Sequence, residues 1–166
     1  GMRCIDVTLV ELEECQDHFM LAIRAQEILE AKRKGKVAVL LGFEGADPVG
    51  ENLGNLRNFY RLGIREVQLT WNYRNQVCDG IYETRNAGLS EFGKELIREM
   101  NRLGILIDTS HINTKGLEDA LSLSTQPIYM SHTAARALVD HPRNITDEQA
   151  KAIVRKGGMI GICFLP

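Results

Sequence analysis

The sequence lacks long hydrophobic runs. None approaches the ~20 apolar residues that a membrane-spanning helix needs, and the first residues, Gly1 to Asp6, contain no apolar stretch typical of a secretion signal. The four cysteines form no Cys-x-x-Cys pair, which excludes a zinc knuckle and a disulfide framework as the basis of the fold. We therefore expect reduced thiols, a cytoplasmic protein and no membrane partner.

The sequence also lacks an excess of charge of one sign. Its 20 basic and 22 acidic residues give a net charge of -2, so nothing favours nucleic acid as a partner. The glycine-containing segments Gly42 to Gly45 and Gly157 to Gly158 match neither a dinucleotide-binding motif nor a phosphate loop, and no Gly-x-Ser-x-Gly motif occurs. A small molecule or another protein is the expected partner.

What the sequence does contain is an alternation of apolar runs and amphipathic segments. With 44% hydrophobic residues among 166, one core and a single domain over residues 1–166 are predicted. About five strands separated by helices indicate parallel strands joined by right-handed crossovers, hence an α/β fold. A helix is capped by Asp17, includes Leu21 on its apolar face and ends at Gly35. The other predicted helices are 51–61, 90–103, 114–123 and 146–156, and the predicted strands are 36–43, 66–70, 105–107, 128–130 and 159–165.

Polar residues stand where several of these strands end. Glu44 follows the first strand, His111 follows the third, and His132 follows the fourth, the last two each in a Ser-His pair. Ligand sites in parallel sheets lie beyond the carboxyl ends of the strands, so these three side chains are expected to converge. One glutamate with two histidines is a donor set typical of catalytic zinc. Taken singly, a strand-end histidine is more often a hydrogen-bonded core residue.

Two further residues could reach the same edge of the sheet. Arg143 lies on the loop after the fourth strand, where its planar guanidinium could hold a substrate carboxylate or form a surface ion pair. Trp71, the only tryptophan, ends the second strand and could line a pocket or simply pack. A polar loop from Trp71 to Leu89 is long enough to suggest a role at the site. His18 and His141 are interpreted as a solvated side chain and a turn residue.

Several motifs, in order, resemble the membrane (renal) dipeptidase family, zinc peptidases on a TIM-like barrel. The resemblance covers about Lys36 to Pro166, and the chain looks like a truncated bacterial member. The motifs are Gly42-Phe43-Glu44-Gly45, Leu69-Thr70-Trp71-Asn72, Ile107-Asp108-Thr109-Ser110-His111, Ser131-His132 and Asp140-His141-Pro142-Arg143-Asn144.

The resemblance implies a partial TIM-like (β/α) barrel and assigns roles to these residues. Glu44, His111 and His132 become metal ligands, Arg143 binds the substrate carboxylate, and Trp71 stands where animal members have a substrate-contacting histidine. The family holds two zinc ions, but its His-x-Asp motif and its late catalytic aspartate are missing here. We therefore expect at most one zinc, and no catalytic acid or base is assigned.

Three functions follow as hypotheses. The first is a zinc-dependent dipeptidase that hydrolyses dipeptides through a metal-activated water, with weak or absent activity in this short chain alone. The second is an inactive, oligomerising fragment. The third is a metal-dependent amidohydrolase with another class of substrate. In each case a homo-oligomer or a partner polypeptide is expected to cover the open edges of the sheet.

Overall fold

The structure is a computed structural model that describes residues 1–164. The helices, in chain order, are α1 (Met2–Glu14), α2 (Ala25–Arg33), α3 (Leu53–Arg61), α4 (Glu91–Leu103), α5 (Thr114–Leu123) and α6 (Asp147–Arg155), with a 3-10 turn at Asp47–Val49. The strands are β1 (Phe19–Leu21), β2 (Val37–Val39), β3 (Leu41–Phe43), β4 (Ile64–Gln68), β5 (Leu106–Asp108), β6 (Tyr129–Thr133) and β7 (Met159–Ile162). No helix within 1–164 is long and apolar enough to cross a membrane.

Five strands form one parallel sheet in the order β3-β4-β5-β6-β7. One α-helix connects each strand of this sheet to the next. The connection from β3 to β4 also includes the 3-10 turn. The prediction of about five parallel strands with crossover helices is therefore confirmed. The predicted end of the last strand, at Leu165, lies outside the described residues.

The two faces of this sheet differ in what covers them. On one face Phe43, Val67 and Ile107, which are register partners, pack against buried helix residues. Those helix residues are Leu56, Phe59, Leu96, Ile97, Met100, Leu117, Ala120 and Ile153. On the other face Leu106 is 45% and Met159 66% exposed. Since side chains alternate across a strand, this second face carries the opposite set of residues, and among residues 1–164 it is open at the amino ends of β5 and β7.

The N-terminal quarter departs from the sequence prediction. The helix expected from Asp17 through Leu21 is wrong, because Phe19–Leu21 forms β1, a parallel strand paired with β2. The helix begins only at Ala25, where the Glu27 carboxylate accepts hydrogen bonds from the Ile23 and Arg24 backbone N–H groups. A three-residue strand is too short for its alternation to stand out against a helical pattern that follows directly.

The apolar run at 36–43 is also not one strand. It is broken at Leu40 into β2, which pairs with β1, and β3, which pairs with β4. The register shifts between Leu41 and Gly42. An apolar run indicates that a segment is buried, but not which strand it pairs with. Here the two halves of the run pair with different strands. The helix α1, which precedes them, was not predicted at all.

The long loop after β4 is ordered by its own hydrogen bonds. Asp79 is 2% exposed and accepts from the Ala87 backbone N–H, and Gly80 bridges to Ile112. A Cβ at Gly80 would lie 2.5 Å from the carbonyl of Asn72, so only glycine allows the loop to pass this closely. The loop thereby holds Asn72 in one place, beside His111, which lies three residues after β5.

Candidate metal centre

Three predicted ligands meet at the carboxyl ends of β3, β5 and β6. Nε2 of His111 lies 2.8 Å from Nε2 of His132, and Oε1 of Glu44 lies 3.6 Å and 3.8 Å from these two nitrogens. One donor atom from each residue falls within 4.8 Å of the others. Because the three strands are parallel, their ends come to one edge of the sheet, and residues 67 and 88 positions apart become neighbours.

His111 is held in one orientation by the loop after β4. Its Nδ1 lies 2.7 Å from Oδ1 of Asn72, and an amide oxygen only accepts, so Nδ1 carries the proton and Nε2 presents its lone pair. The residue is 8% exposed and has φ of 65°, the one positive φ outside glycine among residues 1–164. Histidine tolerates this left-handed region better than most residues, and such outliers concentrate where side-chain placement matters.

His132 is oriented by the serine before it. Oγ of Ser131 lies 2.7 Å from Nδ1 of His132 and 2.5 Å from Oδ2 of Asp108. Asp108 is 1% exposed. The Ser131 hydroxyl therefore donates a hydrogen bond to this carboxylate, and the hydroxyl oxygen accepts a hydrogen bond from Nδ1–H of the ring. Nε2 of His132 is left with a lone pair, as in His111.

The electrostatics around His111 favour neutral imidazole, the form that binds metals. Burial, together with the positive charges of Arg143 and of a protonated His132, lowers the pKa of His111 to about 3. His111 is then uncharged at neutral pH. Two neutral rings whose Nε2 lone pairs face each other at 2.8 Å repel unless a cation or proton lies between them.

The separations suit a tetrahedral zinc ion. Two nitrogens each about 2.05 Å from such an ion are about 3.3 Å apart, and the observed 2.8, 3.6 and 3.8 Å bracket this value. Glu44 is 60% exposed at its side chain, so it is the least constrained of the three donors. The donor set, one carboxylate and two imidazoles, therefore fits zinc in both chemistry and spacing.

An open groove of about 530 Å³ begins at this edge of the sheet. Its lining residues are Gly42, Phe43, Glu44, Glu66, Ser131, His132 and Cys163. Two of them are ligand candidates, so a small molecule in the groove would contact the metal position.

Arg143 lies behind His111, where the two residues line the same small cavity of about 30 Å³. Within residues 1–164 its guanidinium makes no ion pair and no hydrogen bond, which disfavours the surface ion pair considered from the sequence. Burial lowers the pKa of the group, but arginine stays protonated at neutral pH. It is a half-buried cation able to bind a carboxylate.

Trp71 stands at the rim of the same edge. It is 50% exposed, and its ring centroid lies 6.1 Å from that of His111. The other two histidines lie elsewhere. His18 is exposed just before β1, and His141 packs edge-on against Tyr82, at a ring distance of 6.4 Å.

Two groups near the site were given no role of their own from the sequence. Glu66 lies mid-strand on the open face, where burial and the charge of Asp108 raise the pKa of its carboxyl to about 7. Burial also raises the pKa of the nearby Tyr129 phenol, as does the charge of Glu66. The available signal was a glutamate placed beside the buried residue Val67 within a strand.

Comparison with known proteins identifies the family. The model of the membrane dipeptidase family, peptidase family M19, matches residues 3–166. The chain belongs to this family. The match begins well before Lys36, the predicted start of the resemblance, so α1 and β1 also lie within the part of the chain that the family model covers. The five parallel strands with their crossover helices form part of a TIM-like barrel, as expected.

Individual relatives agree with this assignment. Dipeptidase tcpJ of Claviceps purpurea is 37% identical over 98% of this chain and 39% of its own length. An amidohydrolase from Pseudomonas aeruginosa superposes with a TM-score of 0.93 at 35% identity, over 97% of this chain and 49% of that one. A metallopeptidase from Rhodobacter sphaeroides, solved with a phosphinate mimic of the dipeptide L-Ala-D-Ala, gives 0.88 at 31% identity, over 95% and 47%. The chain spans two fifths to half of the length of these relatives.

Proposed function

We propose that this protein is a zinc-dependent dipeptidase, which cleaves the peptide bond of dipeptides. The observation that carries the proposal is the convergence of Glu44, His111 and His132, with both imidazoles presenting Nε2 to one point. Family membership supports a metal, and the relative solved with a dipeptide mimic supports the substrate class.

In this proposal Glu44, His111 and His132 hold one zinc ion. When bound, zinc acts as a Lewis acid and supplies a nucleophilic water at neutral pH. Arg143 binds the terminal carboxylate of the dipeptide, supported by its half-buried guanidinium without a partner in residues 1–164. Trp71 lines the rim and keeps water from one side of the substrate.

We propose at most one zinc per chain, and weak or no activity for residues 1–166 alone. The family's His-x-Asp motif for the first zinc is absent from this sequence, as is its late aspartate. The missing motif would hold the other zinc ion, and the missing aspartate would serve the proton transfers. Their absence should therefore lower the rate of hydrolysis more than the affinity for zinc at the remaining site.

The test measures zinc content and hydrolysis of L-Ala-D-Ala and L-Ala-L-Ala by the purified chain. We expect up to one zinc per chain in the parent, and loss of zinc in Glu44→Gln and His132→Ala. Matched controls are Glu95→Gln and His18→Ala, which change exposed residues away from the site. Absence of zinc from the parent, or retention in both site variants, would contradict the proposal.

Two other functions have one supporting observation each. Leu106 and Met159 on the open face of the sheet favour an inactive, oligomerising protein in which a second copy or a partner polypeptide covers this face. The amidohydrolase from Pseudomonas aeruginosa favours a metal-dependent amidohydrolase of another substrate class. Light scattering combined with the zinc assay distinguishes the inactive oligomer from the dipeptidase, because a metal-free oligomer without turnover supports the former. Hydrolysis of N-acyl amino acids but not of dipeptides in a substrate screen would support the amidohydrolase.

Single-domain organisation over residues 1–166 and a cytoplasmic location complete the proposal. All four cysteines are free in the structure, which is typical of proteins in a reducing compartment. One cooperative unfolding transition and recovery in the cytosolic fraction are the expected results.

A further inference from the structure

Asp108, at the end of β5, is the hub that joins the two Ser-His segments. Its Oδ1 accepts from the Ser110 backbone N–H at 2.9 Å, the Ser110 hydroxyl at 2.8 Å and the Ser131 backbone N–H at 2.9 Å. Its Oδ2 accepts from the Ser131 hydroxyl at 2.5 Å. A carboxylate with four donors and 1% exposure is fixed in place.

The direction of each hydrogen bond follows from this arrangement. Ser131 has one hydroxyl proton, and it donates this proton in a hydrogen bond to the Asp108 carboxylate, which can only accept. The nitrogen 2.7 Å away, Nδ1 of His132, must then donate to the hydroxyl oxygen. The charge on Asp108 thus determines, through one hydroxyl, which ring nitrogen of His132 is protonated.

We propose that Asp108 is a positioning residue that acts through Ser131 to keep the proton of His132 on Nδ1 and leave Nε2 free for metal. The inference rests on the proposed metal site. It assigns a role to a residue that contacts neither the metal position nor the substrate groove. Outer hydrogen bonds of this kind are known to set the tautomer of metal-binding histidines.

The molecule contains an internal reference for this role. His111 takes its orientation from Asn72, a separate contact on the other side of the site. Loss of the Asp108 charge should therefore change the tautomer of His132 and leave that of His111 as it is. A merely structural role of Asp108 would disturb both rings together.

The sharpest variant is Asp108→Asn, which keeps the shape. Its amide oxygen can still accept from the two backbone N–H groups, while its NH₂ takes the place of Oδ2 and donates to the Ser131 oxygen. The Ser131 proton is then released to turn to Nδ1 of His132 at 2.7 Å, which is nearer than the Ser110 hydroxyl at 3.1 Å, and the ring proton moves to Nε2. That proton points to Nε2 of His111, 2.8 Å away, and forms a hydrogen bond where the metal would bind.

The experiment records long-range ¹H–¹⁵N spectra of metal-free protein, which distinguish protonated from unprotonated ring nitrogens. We expect Nδ1–H in both histidines of the parent. In Asp108→Asn we expect Nε2–H in His132 and no change in His111. The matched control is Thr109→Val, which removes a buried hydroxyl of the same turn. Among residues 1–164 this hydroxyl donates to the Tyr129 carbonyl and hydrogen-bonds neither to Asp108 nor to a histidine.

A second variant guards against misfolding of the first. Ser131→Ala removes the relay atom but not the carboxylate, and His132 should then lose its fixed Nδ1–H form. Zinc titration adds an independent readout, with affinity reduced about 10-fold to 100-fold in both variants and unchanged in the control. Nδ1–H retained by His132 in both variants, or equal changes in both rings, would overturn the inference. If the tautomers change as expected but the parent binds no zinc, the relay stands and the proposed metal function fails.

Discussion

Replacement of Glu66 by glutamine should make the protein more stable at alkaline pH. Glu66 lies on the open face of β4, close to the fully paired carboxylate of Asp108 and to Tyr129. Gly42 leaves it space, since a side chain there would collide with the Glu66 carboxyl. Burial first, and the Asp108 charge second, disfavour its ionised form and raise its pKa from 4.5 to about 7.

The sign and size of the effect follow from these two pKa values. Below about pH 4.5 the carboxyl is protonated in the folded and the unfolded chain, and there is no cost. As the pH rises to 7, the unfolded chain releases the proton while the folded one retains it, so stability falls. A shift of 2.5 units corresponds to at most about 3.4 kcal/mol, and water at the half-covered carboxyl reduces this to roughly 1–2 kcal/mol.

Urea unfolding of metal-free parent and Glu66→Gln at pH 4, 6 and 8 measures this difference. At pH 8 the variant should gain roughly 1–2 kcal/mol, or about 0.5–1 M in the urea midpoint. At pH 4 this source of difference should vanish. Glu95→Gln, on the exposed side of α4, should show no such trend. A variant that gains equally at pH 4 and 8, or that loses stability at pH 8, would refute the reasoning.

Two further predictions concern other parts of the fold. The Arg102 hydrogen bond lowers the pKa of Glu99 to about 2, so Glu99→Gln should cost about 1 kcal/mol at pH 7. That cost should shrink as the pH falls from about 4.5 toward 2, and a constant cost in urea titrations would contradict it. Gly80→Ala should push Asn72 away from His111 and lower the melting temperature by about 3–10 °C, corresponding to about 1–3 kcal/mol of strain. An unchanged melting curve by circular dichroism would contradict this prediction, because it would mean that the loop accommodates the added Cβ without strain.

The candidate site was largely accessible from the sequence because its donors follow strands. Glu44 comes directly after an apolar run, whereas His111 and His132 follow theirs after short polar segments. Parallel strands bring such positions to one edge. The group that orients His111 was less accessible. Asn72 approaches His111 only because the loop through Gly80 folds back, and no local pattern encodes that path.

The fold was accessible where elements were long. The helix α4 has an N-cap serine, an amphipathic face and a left-handed glycine after its end, and its predicted limits agree with the structure. The strand β1 and the break at Leu40 were not accessible, since three-residue strands carry little periodicity. Their existence depends on pairing with each other.

The amino-acid sequence alone indicated the alternation of helices and strands, the parallel connection and the three candidate metal donors. These depend on local spacing, capping and the chemistry of single side chains. Only the tertiary structure decided which nitrogen of each histidine faces the site, because this depends on contacts made by Asn72 from one loop and by Asp108 from the neighbouring strand. It also decided that, in residues 1–164, one face of the sheet is open at the amino ends of β5 and β7, since cover is a property of packing between elements and not of any one strand.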